Sequence, residues 1–221
     1  MRIVRKFGSC LLVAAVVPAM AGAQQATNPR HAFEDSWYWG AKGGIASFDP
    51  SGGGRVSASS VGAEWMITKS RAALYLSVDQ AFFNEIAGVF DPSVSGSVRP
   101  VSISDLRRYG AGLFAFPIAG SVRPYLGLGL SLNVIQNADP AGTFVTQASQ
   151  TEVFDRVVDQ TSKVSAVFTG GLQAHAGRLA FFAQGSAMPT RNNFLISGSS
   201  HTFVFEGGIR YNLARAIEQL K

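Results

Sequence analysis

The sequence predicts an all-β fold: an eight-stranded antiparallel up-and-down transmembrane β-barrel with short periplasmic turns and longer extracellular loops. Three observations lead to this prediction. Eight segments alternate apolar and polar residues with a period of two. The connections between them are alternately tight and long, as in an up-and-down barrel. Charged residues lie on the face opposite the apolar one, which suits a wall with lipid outside and a polar lumen inside.

The fifth segment shows the alternation most clearly, because Leu126, Leu128 and Leu130 share one face while Gly127 and Gly129 lie on the other. In the fourth segment the consecutive residues Leu113 and Phe114 could each occupy the outer face. Which set of alternating residues points outward, the parity of the strand, therefore stays open. The predicted strands are Ser36–Phe48, Arg55–Thr68, Ala72–Asn84, Asp105–Ile118, Arg123–Gln136, Ser162–Ala176, Arg178–Pro189 and His201–Leu213.

The connections indicate how the barrel is oriented. Strands two, four and six end in tight turns at Lys69–Arg71, Ala119–Val122 and Gly177. The longer connections, which we expect outside the cell, are Asp49–Gly54, Glu85–Ser104, Asn137–Thr161 and Thr190–Ser200. Four aromatic residues fall near the periplasmic ends of their strands and predict a girdle at the lipid–water boundary: Trp37, Trp39, Trp65 and Tyr211.

The first 23 residues have the pattern of a cleaved signal peptide. Cationic Arg2, Arg5 and Lys6 precede an apolar run, and a small-residue cleavage site ends at Ala23. Residues 24–35 then form a periplasmic N-terminal segment, 36–213 the barrel and 214–221 a short periplasmic tail. The single cysteine, Cys10, is removed with the leader, so the mature chain has no disulfide. No basic patch points to nucleic acid.

If the apolar faces point outward, an unusual set of charges points into the lumen. The inward-facing charged residues are Lys42, Glu64, Asp79, Arg108, Lys163, Glu206 and Arg210. Strands one and eight must pair to close the barrel, so Lys42 is expected near Glu206 or Arg210. The opposite register would expose cations to lipid at about 2–4 kcal/mol each. Since an eight-stranded interior is narrow, we expect a salt-bridged core rather than an ion or proton path.

Groups for catalysis or metal binding are not assembled in the sequence. His201 follows Ser199 and Ser200, but it differs in parity from Glu206, so no acid is expected to orient its imidazole. The lumen residue His175 is isolated. The acids Glu152, Asp155 and Asp159 of the longest loop do not have the spacing of a calcium loop. We therefore predict no catalytic residue, no metal site and no cofactor.

The last strand carries a more specific pattern. Polar Glu206, Gly208, aromatic Tyr211 and apolar Leu213 resemble the C-terminal assembly signal of small eight-stranded bacterial outer-membrane barrels of the OmpA/OmpX type. The resemblance implies a location in the outer membrane, contact with lipid and lipopolysaccharide, and delivery by periplasmic chaperones to the barrel-assembly machinery. The family's strand usually ends the protein, whereas residues 214–221 follow here, too few for a peptidoglycan-binding domain.

These features favour a structural or surface-recognition barrel whose loops meet an unknown surface ligand. The alternatives are a narrow channel for ions or small solutes and, less favoured, a lipid-modifying enzyme. A secreted soluble barrel of the lipocalin type would need an apolar interior, which Lys42, Glu206 and Arg210 contradict.

Overall fold

The computed structural model describes residues 33, 35–190 and 193–215, and these form a closed barrel of eight antiparallel strands. Each strand pairs with the next, and the last pairs with the first. The strands are β1 Ser36–Phe48, β2 Val56–Lys69, β3 Ala72–Phe90, β4 Val98–Ala115, β5 Val122–Pro140, β6 Ser162–Ala176, β7 Leu179–Pro189 and β8 His201–Arg215, with one helix, α1, at Gln147–Asp159. The predicted fold class is confirmed. The predicted signal peptide, most of residues 24–35 and residues 216–221 lie outside the described part.

The hairpin of β3 and β4 is much longer than predicted. The segment 85–104, expected to be a loop, is mostly strand, and only residues 91–97 connect the two strands. A bulge between Ala81 and Asn84 shifts the register, so the alternation breaks where the sequence analysis ended the strand. At its other end β4 stops at Ala115 rather than Ile118, because Pro117 cannot donate a ladder hydrogen bond.

The sidedness of the wall agrees with the apolar alternation. Leu126, Leu128 and Leu130 point outward with 67%, 59% and 59% of their surface exposed. The open parity of β4 is resolved, since Phe114 is buried inside the barrel and Leu113 is exposed outside. The exterior of the strands is therefore an apolar belt. No helix in the described residues is long and apolar enough to cross a membrane.

The longest connection contains helix α1, where the sequence analysis expected a loop. Thr146 caps the helix: its hydroxyl accepts from the Ser149 amide, and the Ser149 side chain accepts from the Thr146 amide. Val153 and Val157, four residues apart, are buried. Arg156 pairs with Glu152 at 2.8 Å and donates to the carbonyl of Phe90, which ties α1 to the end of β3.

Buried side chains occupy the interior in three layers. The outer cap, at the end of the long loops, combines apolar strand ends with Val153 and Val157 of α1 and with Phe194–Ile196 of the last loop. The aromatic layer, at the periplasmic end, contains Phe33, Tyr38, Met66, Ala73, Tyr75, Phe114, Phe116 and Tyr125. The charged residues of the lumen lie between these two layers.

Candidate functional site: the charged interior of the barrel

Four charged side chains from four strands meet in the middle of the barrel. Lys42 Nζ lies 2.8 Å from Asp79 Oδ1 and 3.1 Å from Glu206 Oε2. Arg108 Nη2 lies 2.9 Å from Glu206 Oε1 and 3.5 Å from Asp79 Oδ2. Gln184 also donates to Glu206, at 2.9 Å. This cluster, here called the upper cluster, holds two cations and two anions, so each charge has two opposite partners and the cluster is neutral.

A second ion pair, the lower pair, lies nearer the periplasm. Arg210 is fully buried and pairs with Glu64, while another of its nitrogens donates to Gln173. Its guanidinium also stacks 3.9 Å from the centre of the Phe182 ring, a favourable contact for a desolvated cation.

Tyr75 connects the two groups. Its hydroxyl donates to Glu64 at 2.9 Å and accepts from Lys42 at 3.1 Å. The Tyr75 ring stacks on Phe114, whose other neighbour is Tyr125, with ring centres 4.4 and 5.2 Å apart. The aromatic layer thus lies directly on the periplasmic side of the charged residues. Tyr75 is a member of this layer and also hydrogen-bonds the charged residues.

Two glycines of β1 and β2 make these contacts possible. In the strand register Gly62 lies between Lys42 and Asp79, and Gly40 lies between Glu64 and Arg210. A β-carbon at Gly62 would fall 2.1 Å from Asp79 Oδ1, and one at Gly40 would fall 2.8 Å from Glu64. A side chain at either position would therefore displace the ion pair beside it.

Lys163 does not join the other six charged residues that the sequence analysis grouped with it. It is half-buried towards the outer end of β6, and none of the ion pairs among the described residues includes it. The register explains this. Asp79, Arg108, Asn133 and Lys163 follow one another across β3 to β6, so Arg108 lies between Lys163 and the acid. His175 is also separate, with its Nε2 2.8 Å from the Gln173 amide.

A cavity of about 50 Å³ adjoins the upper cluster and is lined in part by Lys42, Asp79 and Arg108. Since a water molecule needs about 10–15 Å³ of such volume, the cavity has room for about three to five. The Nε of Arg108 is buried without a hydrogen-bond partner among the described residues. A buried guanidinium nitrogen beside a cavity that charged groups line in part is suited to binding water.

Within the part of the chain that the structure describes, the outer rim shows no oriented catalytic group. Ser200 Oγ lies 2.7 Å from Nδ1 of its neighbour His201. The nearby acid Asp49 pairs with Arg55 at 3.1 Å instead, and hydrogen bonds from Arg55 and then Ser199 lower the pKa of Asp49. Within residues 33, 35–190 and 193–215, no group of three or more potential metal ligands comes together.

The residues of the expected assembly signal have separate structural roles. Glu206 belongs to the upper cluster. Gly208 passes close to β1, since a β-carbon there would lie 2.3 Å from the carbonyl oxygen of Ala41. Tyr211 and Leu213 face outward. On the same outer surface Trp39 pairs with Trp65 and with Tyr211 across the strands, and Trp37 contacts the Trp65 ring at 5.3 Å.

Comparison with known proteins gives the fold. The crystal structure of Neisserial surface protein A (NspA) matches with a TM-score of 0.54 and 14% identity, covering 80% of this chain and 97% of NspA. This chain has the fold of a small outer-membrane β-barrel. The fold expected from the resemblance is thus confirmed. No protein-family model and no curated protein sequence matches the chain.

Two further solved structures are similar at lower scores. The N-terminal β-barrel domain of Pseudomonas aeruginosa OprF has a TM-score of 0.47 and 12% identity, with 81% of this chain and 98% of that domain covered. Ail of Yersinia pestis, solved in complex with the heparin analogue sucrose octasulfate, has a TM-score of 0.45 and 10% identity, with 81% and 99% covered.

The polar partners of the charges were missed by the sequence analysis. Tyr75, Gln173 and Gln184 complete the hydrogen bonding of the charged residues. All three lie on the inward face that the alternation predicts, so parity alone could have identified them as lumen residues. Their height along the barrel, and hence their partners, depends on strand stagger, which no single segment encodes.

Proposed function

We propose that this chain is a non-enzymatic outer-membrane barrel with a closed lumen, which acts through the surface of its outer loops. The observation that carries the proposal is the mutual pairing of Lys42, Asp79, Arg108 and Glu206 at the centre of the barrel. Ions that cross the lumen would have to separate these pairs, which is costly in a desolvated site. The aromatic layer and the outer cap add apolar barriers on both sides.

The outer surface offers a site for recognition. β3 has 19 residues, whereas about 9–11 suffice to cross a bilayer, so its hairpin with β4 extends well beyond the membrane. Helix α1 lies against this hairpin. Phe154 and Val158 of the helix are exposed, and so is Val145, just before the helix N-cap. Apolar side chains grouped on an outer surface are typical of a contact site for another molecule. The ligand itself is not specified by these residues.

Planar-bilayer recording of the mature barrel tests the closed lumen. We expect no steady conductance from the wild-type protein. Steady open-channel conductance that changes in Lys42→Gln would contradict the proposal and support the narrow channel instead. That second function is favoured by one observation, the cavity of about 50 Å³ beside the upper cluster.

The surface role needs a separate experiment. Cells that display the barrel would be tested on an array of immobilised host proteins, glycans and lipopolysaccharide. We expect binding that is lost in the triple variant Val145→Ser, Phe154→Ser, Val158→Ser and kept in Leu126→Ser, which alters only the lipid-facing belt. Absence of wild-type binding to every probe would contradict recognition and favour a structural role.

Delivery of the barrel to its membrane is part of the same proposal. We expect the barrel-assembly machinery to recognise Glu206, Gly208, Tyr211 and Leu213 in the unfolded chain, with periplasmic chaperones as earlier partners. Tyr211→Ala changes an exposed residue, so a marked loss of outer-membrane insertion with unchanged refolding in detergent would support recognition. Normal insertion would contradict it.

A further inference from the structure

The outer wall of the barrel carries an apolar groove that the proposed function does not use. The groove crosses β1, β2 and β3 on the lipid side and has a volume of about 370 Å³, within the range of about 300–1,000 Å³ that is usual for ligand pockets. Its apolar lining residues are Trp39, Ala63, Trp65, Leu76 and Val78. Ala63 forms the depression, because its small side chain lies between larger apolar neighbours.

The groove belongs to the surface that contacts lipid. Leu76 and Val78 are exposed members of the apolar belt, and Trp39 is exposed beside them. Since the groove is continuous with this belt, hydrocarbon chains are the material that surrounds it. An apolar groove on the lipid side of three adjacent strands is suited to contact with a lipid acyl chain.

Exposed cations lie below the groove on the periplasmic side. Trp65, Ile67 and Lys69 alternate along the outer face of β2, and Arg71 follows in the turn to β3. From Trp65 to Lys69 the strand rises by four residues, about 14 Å. With a strand tilt of about 40°, Lys69 lies about 10 Å closer to the periplasm than Trp65. This is the direction in which the headgroup of an inner-leaflet lipid would be found.

We infer that this face of β1–β3 is a binding site for an anionic phospholipid of the inner leaflet, with one acyl chain in the groove and its phosphate beside Lys69 and Arg71. Charge complementarity favours an anionic lipid over a zwitterionic one. A cation at the membrane surface contributes about 1 kcal/mol, equivalent to about five-fold, so Lys69 and Arg71 together give a preference of up to about 25-fold. The inference does not depend on whether the lumen conducts.

The tryptophans provide a direct readout. The chain has three, Trp37, Trp39 and Trp65, and all three lie on this face, so the intrinsic fluorescence comes from the site itself. The full mature barrel would be reconstituted in phosphatidylcholine vesicles that contain a small fraction of acyl-brominated lipid, either phosphatidylglycerol or phosphatidylcholine. Bromine quenches tryptophan only on contact, so the ratio of the two quenching curves measures lipid preference.

We expect brominated phosphatidylglycerol to quench at least about five-fold, and up to about 25-fold, more effectively than brominated phosphatidylcholine, and the preference to weaken with added salt. The double variant Lys69→Gln, Arg71→Gln should bring the ratio close to one. The matched control Arg178→Gln removes an exposed cation from the turn between β6 and β7 and should leave the ratio unchanged.

Filling the groove tests the acyl-chain contact separately. Ala63→Phe should reduce quenching by phosphatidylglycerol about two-fold or more, whereas Ala183→Phe, an exposed position on β7 away from the groove, should not. Heat-modifiable gel mobility verifies that each variant is folded. If Ala63→Phe does not fold, the exposed Lys69 and Arg71 variants still decide the question.

Two results would overturn the inference. Equal quenching by the two lipids, or a preference that survives the loss of both cations, would show that no anionic headgroup is selected. Weak quenching by both lipids, together with cross-linking of two barrels through this face, would identify a second copy of the chain as the occupant.

Discussion

Replacing Glu206 by glutamine removes one of the two anions of the upper cluster while keeping the shape of the side chain. Lys42 and Arg108, at 3.1 and 2.9 Å from the carboxylate, would then share Asp79 alone. The cluster changes from two cations and two anions to two cations and one anion. Removing one partner from a buried pair costs about 3–5 kcal/mol. Because Asp79 remains 2.8 Å from Lys42, we expect a loss at the lower end, about 3 kcal/mol.

Urea unfolding in lipid vesicles, followed by heat-modifiable gel mobility, measures this loss. The control is Glu152→Gln, which removes an acid from an exposed pair with Arg156 on α1 and should cost less than about 0.5 kcal/mol. A second arm adds Arg108→Gln to Glu206→Gln and restores neutrality, so the double variant should recover about 1–3 kcal/mol relative to the sum of the single variants. Wild-type stability of Glu206→Gln, or strict additivity of the two changes, would refute the neutral-cluster explanation.

Two further predictions concern the barrel wall and the outer loops. Gly62→Ala should destabilise the barrel by about 1–3 kcal/mol, because the new β-carbon would meet Asp79 Oδ1 at 2.1 Å; Gly43→Ala, whose β-carbon would lie 3.6 Å from its nearest neighbour, should cost nothing in the same unfolding assay. Hydrogen bonds from Ser93 and then Arg99 lower the pKa of Asp91 to about 2, below the usual value near 4. The pKa of Asp91 is lower in the folded protein than in the unfolded chain. Its carboxylate should therefore stabilise the folded β3–β4 loop fully above about pH 4, and this stabilisation should be lost as the pH falls towards 2. The protection factors of the amides of residues 91–97, which are exchange rates corrected for the intrinsic pH dependence, should fall over that range in the wild type; unchanged protection factors, or the same fall in Asp91→Asn, would contradict this.

The sidedness of the wall could be predicted because one period-two pattern places many residues at once. Glu206 and Arg210 share a parity with each other but not with Phe205 and Ile209, and a shift by one residue would move both charges into lipid. The pairing of Lys42 with Glu206 follows from barrel closure, which makes β1 and β8 neighbours. The free-energy cost of moving charges into lipid applies to a whole strand at once, so the sidedness that it selects can be predicted from the sequence alone.

The ends of the barrel were harder to predict because their order depends on contacts from distant segments. The outer part of β3 was not predicted, because the bulge after Ala81 interrupts the alternation of apolar and polar residues although pairing with β4 continues. Helix α1 has a cap at Thr146 and the apolar pair Val153 and Val157, but the pair is buried only because the strand ends and the last loop supply the rest of the outer cap. Lys163 was grouped with the other lumen charges by parity, and the register then separates it from Asp79 by Arg108 and Asn133.

The central claim of this account is that lipid contacts the apolar face of every strand while the charged residues lie inside. Spin labels on single-cysteine variants of β5 test it most directly, since the only cysteine, Cys10, lies in the predicted signal peptide. In reconstituted barrels, labels at Leu126→Cys, Leu128→Cys and Leu130→Cys should be relaxed strongly by membrane-dissolved oxygen, and labels at Ser131→Cys and Asn133→Cys only weakly. The reverse pattern, or equal relaxation at both sets of positions, would contradict the account.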